Sequence, residues 1–295
     1  MKYEGIFPAV ITPFNNKEEV DKSKMREFLD FVIEGGVHGI FLLGTNGEAP
    51  LLTKEEKMDL MEIAVEYVDG RVPIISGTDT NSTKEAIELG KHAENVGIDA
   101  IQAVVPYYFP ASHHSLVNHY TKIAEKVDLP LFIYSFPART GNEISIQTLS
   151  KLAEHPNIKG IKDSSGDVSW YYKAIEKIKK KRDDFIFFSG NDMLLYNYLS
   201  LGGGGGVSAL ANVFPELVVK VYEEFKSRNY QKAKKKQDIA MQARRAIDEG
   251  PYMAGVKGGL KVRGLDFGDL RSPLLALDKD ERNHLEKKFK ELDLI

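Results

Sequence analysis

The sequence contains no cysteine, which excludes disulfides, thiolate catalysis and zinc bound by cysteine. It also lacks an apolar run of the roughly 18 residues that a membrane span needs. Neither sign of charge dominates, because 40 lysines and arginines face 43 aspartates and glutamates, for a net charge of −3. A general nucleic-acid binder would carry a strong basic excess. We therefore predict no nucleic-acid partner and no membrane partner.

Two further patterns are missing from the sequence. There is neither a His-x-x-x-His pair nor a cysteine cluster, the spacings typical of a protein metal site. The first residues lack the long apolar core and the small-residue cleavage site of a signal peptide. The chain is therefore predicted to be cytoplasmic and to use no metal ion.

Short runs of β-branched and aromatic residues alternate along the chain with segments of helical periodicity. The length of 295 residues allows one large α/β barrel or two ordinary domains. Strand-like runs lie at 6–12, 39–43, 72–76, 100–105, 131–135, 158–162, 185–189 and 206–209. Helical segments lie at about 23–35, 53–69, 82–96, 113–127, 145–154, 168–181 and 192–200. Eight nearly continuous apolar runs favour a closed parallel barrel over an open doubly wound sheet.

Beyond about residue 215 the strand signals stop and helical patterns continue to the end. Four helices are predicted there, at 215–227, 229–249, 252–263 and 279–292. The first of them can complete the barrel as its eighth helix. The predicted fold is therefore a (β/α)8 TIM barrel over residues 1–227, which carries the active site, followed by a C-terminal helical region over residues 228–295.

Lys162 is a cation at the end of an apolar strand-like run, 158–162. Burial penalises a charged ammonium and lowers its pKa, which makes the amine a nucleophile able to form a Schiff base with a carbonyl. The alternative is a surface lysine just past a strand end. Residues 158, 160 and 162 share one face of the strand, so Lys162 can point into the barrel while Lys159 points away.

In a barrel of this kind, function belongs at the carboxyl ends of the strands. Polar residues cluster there, at Thr12, 44–48, 107–108, 134–135, Arg139, 162–163, 189–192 and Ser208. The loop Gly44-Thr45-Asn46-Gly47-Glu48 offers backbone N–H groups and two polar side chains to an anion such as a carboxylate. An ordinary βα turn is the alternative for this loop. Tyr134 and Arg139 are each compatible with a rim or surface position as well.

Several ordered motifs are similar to those of a known family. They are Gly44-Thr45-Asn46-Gly47-Glu48, Pro106-Tyr107-Tyr108, the segment 134–141, Gly160-Ile161-Lys162-Asp163 and Ser189-Gly190-Asn191-Asp192. Over almost its full length the chain resembles the dihydrodipicolinate synthase / N-acetylneuraminate lyase superfamily of pyruvate-dependent class I aldolases. The resemblance implies a barrel with a C-terminal helical region and no cofactor beyond a covalent Schiff base.

The resemblance also implies roles for individual residues. Lys162 would form the Schiff base with pyruvate or a 2-keto acid, and Tyr134 would relay protons. Thr45 and Tyr108 would extend that relay, with Tyr108 reaching in from a neighbouring subunit. The implied substrate-binding residues are Thr45, Asn46, Gly47, Arg139, Gly190 and Val207, the last through its backbone carbonyl. A homotetramer or homodimer is the implied assembly.

The substrate is a choice between members of this superfamily. Asn46 stands where a dihydrodipicolinate synthase usually has a second threonine, whereas Arg139 matches the arginine of those synthases. Met193 stands where sialic acid lyases usually have an acidic residue. The segments 106–110 and 272–278 are similar to those of 2-keto-3-deoxy sugar acid aldolases.

From these likenesses we predict reversible cleavage of a 2-keto-3-deoxy sugar acid, such as 2-keto-3-deoxygluconate, to pyruvate and an aldehyde. The alternative is the dihydrodipicolinate synthase reaction, in which pyruvate condenses with aspartate semialdehyde. A barrel that binds a keto acid without turnover is a third possibility. Lys162 and Tyr134 argue against it, because a binding site does not require an amine nucleophile beside a phenol.

Overall fold

The computed structural model describes residues 3–251 and 253–295. Eight parallel strands form one sheet: β1 Gly5–Pro8, β2 Ile40–Leu42, β3 Ile74–Gly77, β4 Ala100–Val104, β5 Leu131–Ser135, β6 Ile158–Asp163, β7 Ile186–Ser189 and β8 Gly205–Ser208. The described helices of the barrel are α1 Lys22–Glu34, α2 Lys54–Val68, α3 Thr83–Val96, α4 His113–Lys126, α5 Pro137–Thr140, α6 Ile146–Leu152, α7 Val168–Lys179, α8 Leu195–Ser200 and α9 Pro215–Lys226. They are followed by α10 Tyr230–Asp248, α11 Ala254–Val262 and α12 Lys279–Glu291.

The sheet closes on itself into a barrel. Its strand order is β1-β8-β7-β6-β5-β4-β3-β2, and each neighbouring pair is parallel. An isolated parallel bridge between Ala9 and Phe41 joins the two ends of this order, and the Val10 N–H donates to the Phe41 carbonyl at 3.0 Å. The predicted TIM barrel with a C-terminal helical extension is confirmed.

Apolar side chains fill the inside of the barrel. This inner cluster consists of Phe7, Ala9, Phe41, Ile75, Ala100, Phe132, Phe188 and Val207. A larger apolar layer between the strands and the helices forms the main core. The interior is therefore a packed core rather than a channel, and a site has to lie at an end of the barrel.

The predicted strands agree with the structure within one or two residues at most ends, with one clear exception. The first strand was expected over 6–12 but β1 ends at Pro8. Backbone pairing continues for two residues, because the Ala9 N–H donates to the Ser208 carbonyl at 2.9 Å and the Val10 N–H to the Phe41 carbonyl at 3.0 Å. The Asn212 side chain then accepts from the Ile11 N–H at 3.1 Å and donates to the Ala9 carbonyl at 2.9 Å. A side chain from 201 residues away therefore takes the place of a backbone partner for Ile11.

The C-terminal helices follow the prediction with small differences. The helix expected over 252–263 is observed as α11, and its predicted first residue, Tyr252, lies outside the described residues together with Met1 and Lys2. The short helix α5 was not predicted. No helix in the part of the chain that the structure describes is long and apolar enough to cross a bilayer. The division of the chain at 227/228 stays a prediction.

Candidate active site

Lys162 is buried near the end of β6, with 3% of its surface exposed. Its Nζ lies 3.9 Å from the centre of the Tyr134 ring and 4.6 Å from that of Phe41. Burial lowers the pKa of the ammonium to about 8, although the charges of Asp79 and Asp192 oppose this shift. The alternative of a surface lysine is therefore wrong.

Lys159 on the same strand has the opposite environment. Its side chain is 37% exposed, and its Nζ lies 3.7 Å from Asp184 Oδ2. The alternation of side chains along a strand explains the difference between the two lysines. The predicted orientation, with Lys162 pointing into the barrel and Lys159 pointing away, is confirmed.

Tyr134 lies beside Lys162 across the sheet, because β5 and β6 pair these two residues directly. The Tyr134 ring is buried, and its hydroxyl oxygen lies 3.3 Å from Thr45 Oγ1. A phenol, a second hydroxyl and a lysine amine therefore converge at the carboxyl ends of three strands. This arrangement can carry protons to and from an atom bound at Lys162.

The loop after β2 folds as a tight turn that presents two of its side chains. The Gly47 N–H donates to the Gly44 carbonyl at 3.1 Å, and the Glu48 N–H donates to the Thr45 carbonyl at 3.0 Å. The Gly47 carbonyl accepts from the Thr12 hydroxyl at 2.6 Å. Thr45 and Asn46 line the cavity above Lys162, whereas the Gly47 backbone is engaged in the turn. The predicted role of Gly47 is not tested by these contacts.

A buried ion pair fixes the end of this loop. Glu48 adopts a left-handed backbone conformation, with φ of 56°. Its carboxylate accepts from Lys257 Nζ at 2.8 Å and from the Arg271 backbone N–H at 2.8 Å. Lys257 belongs to α11, so the C-terminal region holds the loop in place.

The Lys162 cavity is the pocket that contains the Lys162 side chain. Of the residues predicted from the sequence it is lined by Thr45, Asn46, Tyr134, Lys162, Gly190 and Val207. Gly190 leaves room there, because a Cβ would lie 2.0 Å from Ser164 Oγ, 3.0 Å from the Asp163 carbonyl and 3.2 Å from Lys162 Cε. A larger residue at position 190 would displace the Ser164 hydroxyl and crowd the Lys162 side chain.

Arg244 and Asp248 also line the Lys162 cavity, and neither was predicted from the sequence. Arg244 Nη1 lies 2.8 Å from Asp248 Oδ1, and its Nε lies 3.4 Å from Asp192 Oδ2. The two residues are four apart on α10, a spacing that places them on one helix face. That spacing was the available signal, but nothing in the sequence indicated that this face meets the barrel mouth.

A second pocket, the Arg139 cavity, lies next to the first and shares Thr45, Tyr134, Phe136 and Met253 with it. Arg139, on α5, is an exposed residue that lines it. Tyr107 lines it too, and its backbone N–H donates to Asn81 Oδ1 at 2.7 Å. Tyr134 and Thr45 therefore lie on the boundary between the two cavities.

Asp79 is a further residue of the Arg139 cavity that was not predicted from the sequence. Its carboxylate is buried and accepts from Gln102 Nε2 at 2.7 Å and from the Val104 N–H at 3.0 Å. Burial raises the pKa of Asp79 to about 6, against the opposing charge of Lys162. Its position just after β3 was the signal that could have identified it.

Tyr108 does not join this group within one chain. Its side chain is 84% exposed, and its ring packs edge-on against Phe109 with centres 5.0 Å apart. Its backbone is left-handed, with φ of 76°. A contribution of Tyr108 to the relay from a neighbouring subunit stays a prediction. Among the described residues, no group of acidic and histidine side chains could hold a metal ion.

A model of the dihydrodipicolinate synthetase family matches residues 2–292. The chain belongs to the dihydrodipicolinate synthetase family. It is 42% identical to an uncharacterised DapA-like lyase of Halobacterium salinarum, over 99% of this chain and 94% of that protein. It is 38% identical to a 4-hydroxy-tetrahydrodipicolinate synthase of Methanopyrus kandleri, over 99% of this chain and 97% of that one.

A solved structure shows the same likeness in three dimensions. YagE from Escherichia coli K12, a prophage protein of the dihydrodipicolinic acid synthase family in complex with pyruvate, superposes with a TM-score of 0.96 at 31% identity. The match covers 99% of each chain. Enzymes of the dihydrodipicolinate synthetase family are pyruvate-dependent class I lyases and synthases, which use a Schiff base between pyruvate and a lysine and need no external cofactor.

Proposed function

We propose that this enzyme condenses pyruvate with aspartate semialdehyde, the reaction of a 4-hydroxy-tetrahydrodipicolinate synthase. The observation that carries the proposal is the position of Arg139, in the cavity that shares Tyr134 and Thr45 with the Lys162 cavity. A guanidinium can bind the carboxylate of the aldehyde substrate through two parallel hydrogen bonds. The name of the Methanopyrus kandleri relative supports this reaction over the sugar acid cleavage predicted from the sequence.

The first step is the formation of the imine on Lys162. The neutral amine adds to the keto carbon of pyruvate, and loss of water leaves a protonated imine. With a pKa of about 8, roughly one tenth of the amine is neutral at pH 7, compared with less than about one thousandth for an ordinary lysine. Thr45 and Asn46 hold the pyruvate carboxylate at the mouth of the barrel.

The second step forms the carbon–carbon bond. The Tyr134 hydroxyl gives the proton with which water leaves the first adduct, and the resulting phenolate then takes a proton from the pyruvate methyl group. The protonated imine accepts the electron pair, which gives an enamine. The enamine carbon attacks the aldehyde carbon, and the Tyr134 hydroxyl delivers a proton to the new alkoxide. Thr45, 3.3 Å from the Tyr134 hydroxyl, passes a proton back to the phenol. The amino group of the semialdehyde then adds to the carbon of the product imine and displaces Lys162, which closes the ring of the product and restores the lysine amine.

A 2-keto-3-deoxy sugar acid aldolase is the second candidate, and the Arg244–Asp248 pair favours it. This pair places one donor group and one acceptor group on the wall of the Lys162 cavity. A wall of that kind suits a tail of hydroxyl groups, which need both donors and acceptors. Asn46 in place of a second threonine is a further observation on this side.

The class of enzyme is tested by trapping the imine. Incubation of the protein with pyruvate and borohydride, followed by peptide mass measurement, is expected to find the reduced adduct on Lys162. A folded protein that yields no adduct would contradict the proposal and would favour the barrel that binds a keto acid without turnover. An adduct on Lys159 alone would mean that the reactive amine lies on the outer face of β6, and it would contradict the role proposed for Lys162.

The substrate is tested by comparing two assays on the same preparation. One measures condensation of pyruvate with aspartate semialdehyde, and the other measures pyruvate release from 2-keto-3-deoxygluconate. We expect Arg139→Gln to reduce kcat/KM for the semialdehyde at least about tenfold and Arg244→Gln to change it little. Activity with the sugar acid alone, and sensitivity to Arg244→Gln instead, would establish the second candidate.

The assembly is proposed to be a homotetramer or a homodimer. The exposed, edge-to-face pair Tyr108 and Phe109 supports it, because large aromatic side chains are enriched at interfaces. Light scattering on the purified enzyme gives its mass directly, and a monomer with full activity would overturn the proposal. The cytoplasmic location stays a prediction from the sequence.

A further inference from the structure

Asp79 is a buried carboxylate whose hydrogen bonds come from neutral groups. Gln102 Nε2 donates at 2.7 Å and the Val104 backbone N–H donates at 3.0 Å, both to Oδ1. The side chain lines the Arg139 cavity together with Tyr134, which faces Lys162 on the neighbouring strand. A carboxylate in this position is costly to desolvate unless a positive charge is near enough to balance it.

The positive charges around Asp79 come from two buried lysines. Lys162 Nζ lies 3.9 Å from the centre of the Tyr134 ring, which lines the same cavity as Asp79. Lys57 from α2 donates through Nζ to the Asp79 backbone carbonyl at 3.1 Å. The other titratable or charged groups that act on Asp79 or Lys162, or that share their cavities, are Glu48, Tyr107, Tyr120, Tyr134, Arg139, Asp192, Arg244 and Asp248.

Three other carboxylates near the site are buried. Asp163 follows Lys162 on β6, so its side chain lies on the opposite face of the strand, where it accepts from the Ser165 and Tyr198 hydroxyls at 2.9 Å and 3.0 Å. The other two already have cations close to them. Glu48 pairs with Lys257 at 2.8 Å. Asp192 lies 3.4 Å from Arg244 and also accepts hydrogen bonds from the backbone N–H groups of Ala209 and Leu210. Asp79 is therefore the carboxylate best placed to compensate a positive charge at the end of the Lys162 side chain.

We propose that Asp79 is a positioning residue that keeps the Lys162 imine protonated by balancing its charge across the barrel. One neutral amine, one ketone and one proton give one protonated imine and one water. The positive charge must persist until the methyl proton leaves, because a neutral imine is a poor acceptor of the electron pair. The proposal rests on the imine at Lys162 and does not depend on which aldehyde follows.

The test is the pH dependence of imine trapping by cyanoborohydride. The rate of trapping falls at low pH because the amine is protonated, which gives the acid limb of the pH profile. It falls at high pH because the imine loses its proton, which gives the alkaline limb. Asp79→Asn removes a negative charge that stabilises both the ammonium and the protonated imine, so the pKa of each is expected to fall. Both limbs of the pH profile should therefore move to lower pH by about one unit. Asp79→Glu keeps the charge and is expected to restore both limbs toward their wild-type positions.

Glu85→Gln is the matched control, because Glu85 lies on α3 near Asp79 and accepts from the Thr80 hydroxyl at 2.8 Å. Its limbs are expected to coincide with those of the wild type. Asp79→Ser, which keeps an acceptor in less volume, is the second neutral variant, and thermal melting reports whether each variant is folded.

The possible results separate the two proposals. Wild-type protein that cannot be trapped at any pH contradicts the proposed function itself. If the wild type is trapped and a folded neutral variant has the same pH profile as the wild type, only the role of Asp79 is overturned. If Asp79→Glu folds while both neutral variants unfold, Asp79 is a structural residue and the role proposed for it is wrong.

Discussion

Lys162 and Lys257 are two lysines of the same chain that are equally buried, each with 3% of its surface exposed. Each ammonium also faces an aromatic ring, Phe41 at 4.6 Å for Lys162 and Phe14 at 4.5 Å for Lys257. They differ in their direct partners. Lys257 Nζ donates to the Glu48 carboxylate and to the Asp269 carbonyl, both at 2.8 Å, whereas the Lys162 side chain lines a cavity.

This difference shows that burial alone does not mark a reactive lysine. Burial is the largest cause of a lowered pKa for both ammonium groups. At Lys257 the proton is engaged in a salt bridge, so losing it would leave the Glu48 carboxylate uncompensated. At Lys162 the carboxylates of Asp79 and Asp192 support the charge without binding it directly, so the amine can lose its proton and attack a carbonyl.

The largest expected effect is on activity. Lys162→Met removes the nucleophile, so kcat/KM for the condensation is expected to fall at least about 10⁴-fold. Lys159→Met is the matched control on the opposite face of β6, where only a surface contact with Asp184 is lost. Its kcat/KM should stay within about twofold of the wild type. Comparable losses in both variants would contradict the assignment of Lys162.

The second effect is on stability, at the other lysine. Lys257→Met leaves Glu48 as a buried carboxylate without its cation, and breaking such a pair typically costs about 3–5 kcal/mol. Denaturant unfolding is expected to show that loss in the free energy of unfolding. A loss below about 1 kcal/mol would mean that Lys257 and Glu48 are hydrated despite their low exposure, and that the pair does not hold the loop.

The two lysines also differ in how far the sequence could reveal them. Lys162 was identified because strand parity and the carboxyl-end rule are local patterns, and the same patterns located Tyr134 and the Thr45–Asn46 loop. Lys257 was not identified, since its partner Glu48 is 209 residues away and its environment is set by tertiary packing.

The same limit applies to the rest of the site. Arg244 lies on a helix whose contact with the barrel mouth could not be inferred from its own periodicity. The early end of β1 has the same origin, because Asn212 reaches it only in the folded chain. Barrel topology and most strand ends therefore follow from local patterns, whereas the end of β1 and the residues from the C-terminal helices do not.

The third effect is on stability at Lys162, where replacement by methionine is expected to stabilise the protein, whereas the same replacement at Lys257 destabilises it. The pKa of Lys162 is about 8 in the native state and about 10.4 when unfolded, so the unfolded chain binds the proton more tightly. The resulting penalty is fully present below about pH 8 and disappears as the pH rises towards 10.4. Lys162→Met is therefore expected to raise the free energy of unfolding at pH 7 by about 1–3 kcal/mol.

This gain should shrink between pH 8 and pH 10, which unfolding curves at several pH values would show. Lys159→Met is again the control, and its effect should not depend on pH in that window. A Lys162→Met protein that is less stable than the wild type at pH 7 would mean that the packing of the lysine side chain outweighs the cost of its buried charge.

The smallest effect is expected when both members of the Lys257 pair are replaced together. In Glu48→Gln with Lys257→Met no buried charge remains, and the glutamine oxygen can still accept from the Arg271 N–H. Replacing a buried ion pair by neutral groups is often close to neutral, so the double variant should unfold within about 2 kcal/mol of the wild type. The Asp269 carbonyl loses its donor in both the single and the double variant, and that loss cancels in a double-mutant cycle. If the double variant is as unstable as Lys257→Met alone, the loss of stability comes from the lost lysine contacts rather than from an uncompensated carboxylate. The ion pair with Glu48, which distinguishes Lys257 from Lys162, would then not be the reason why Lys257 stabilises the protein.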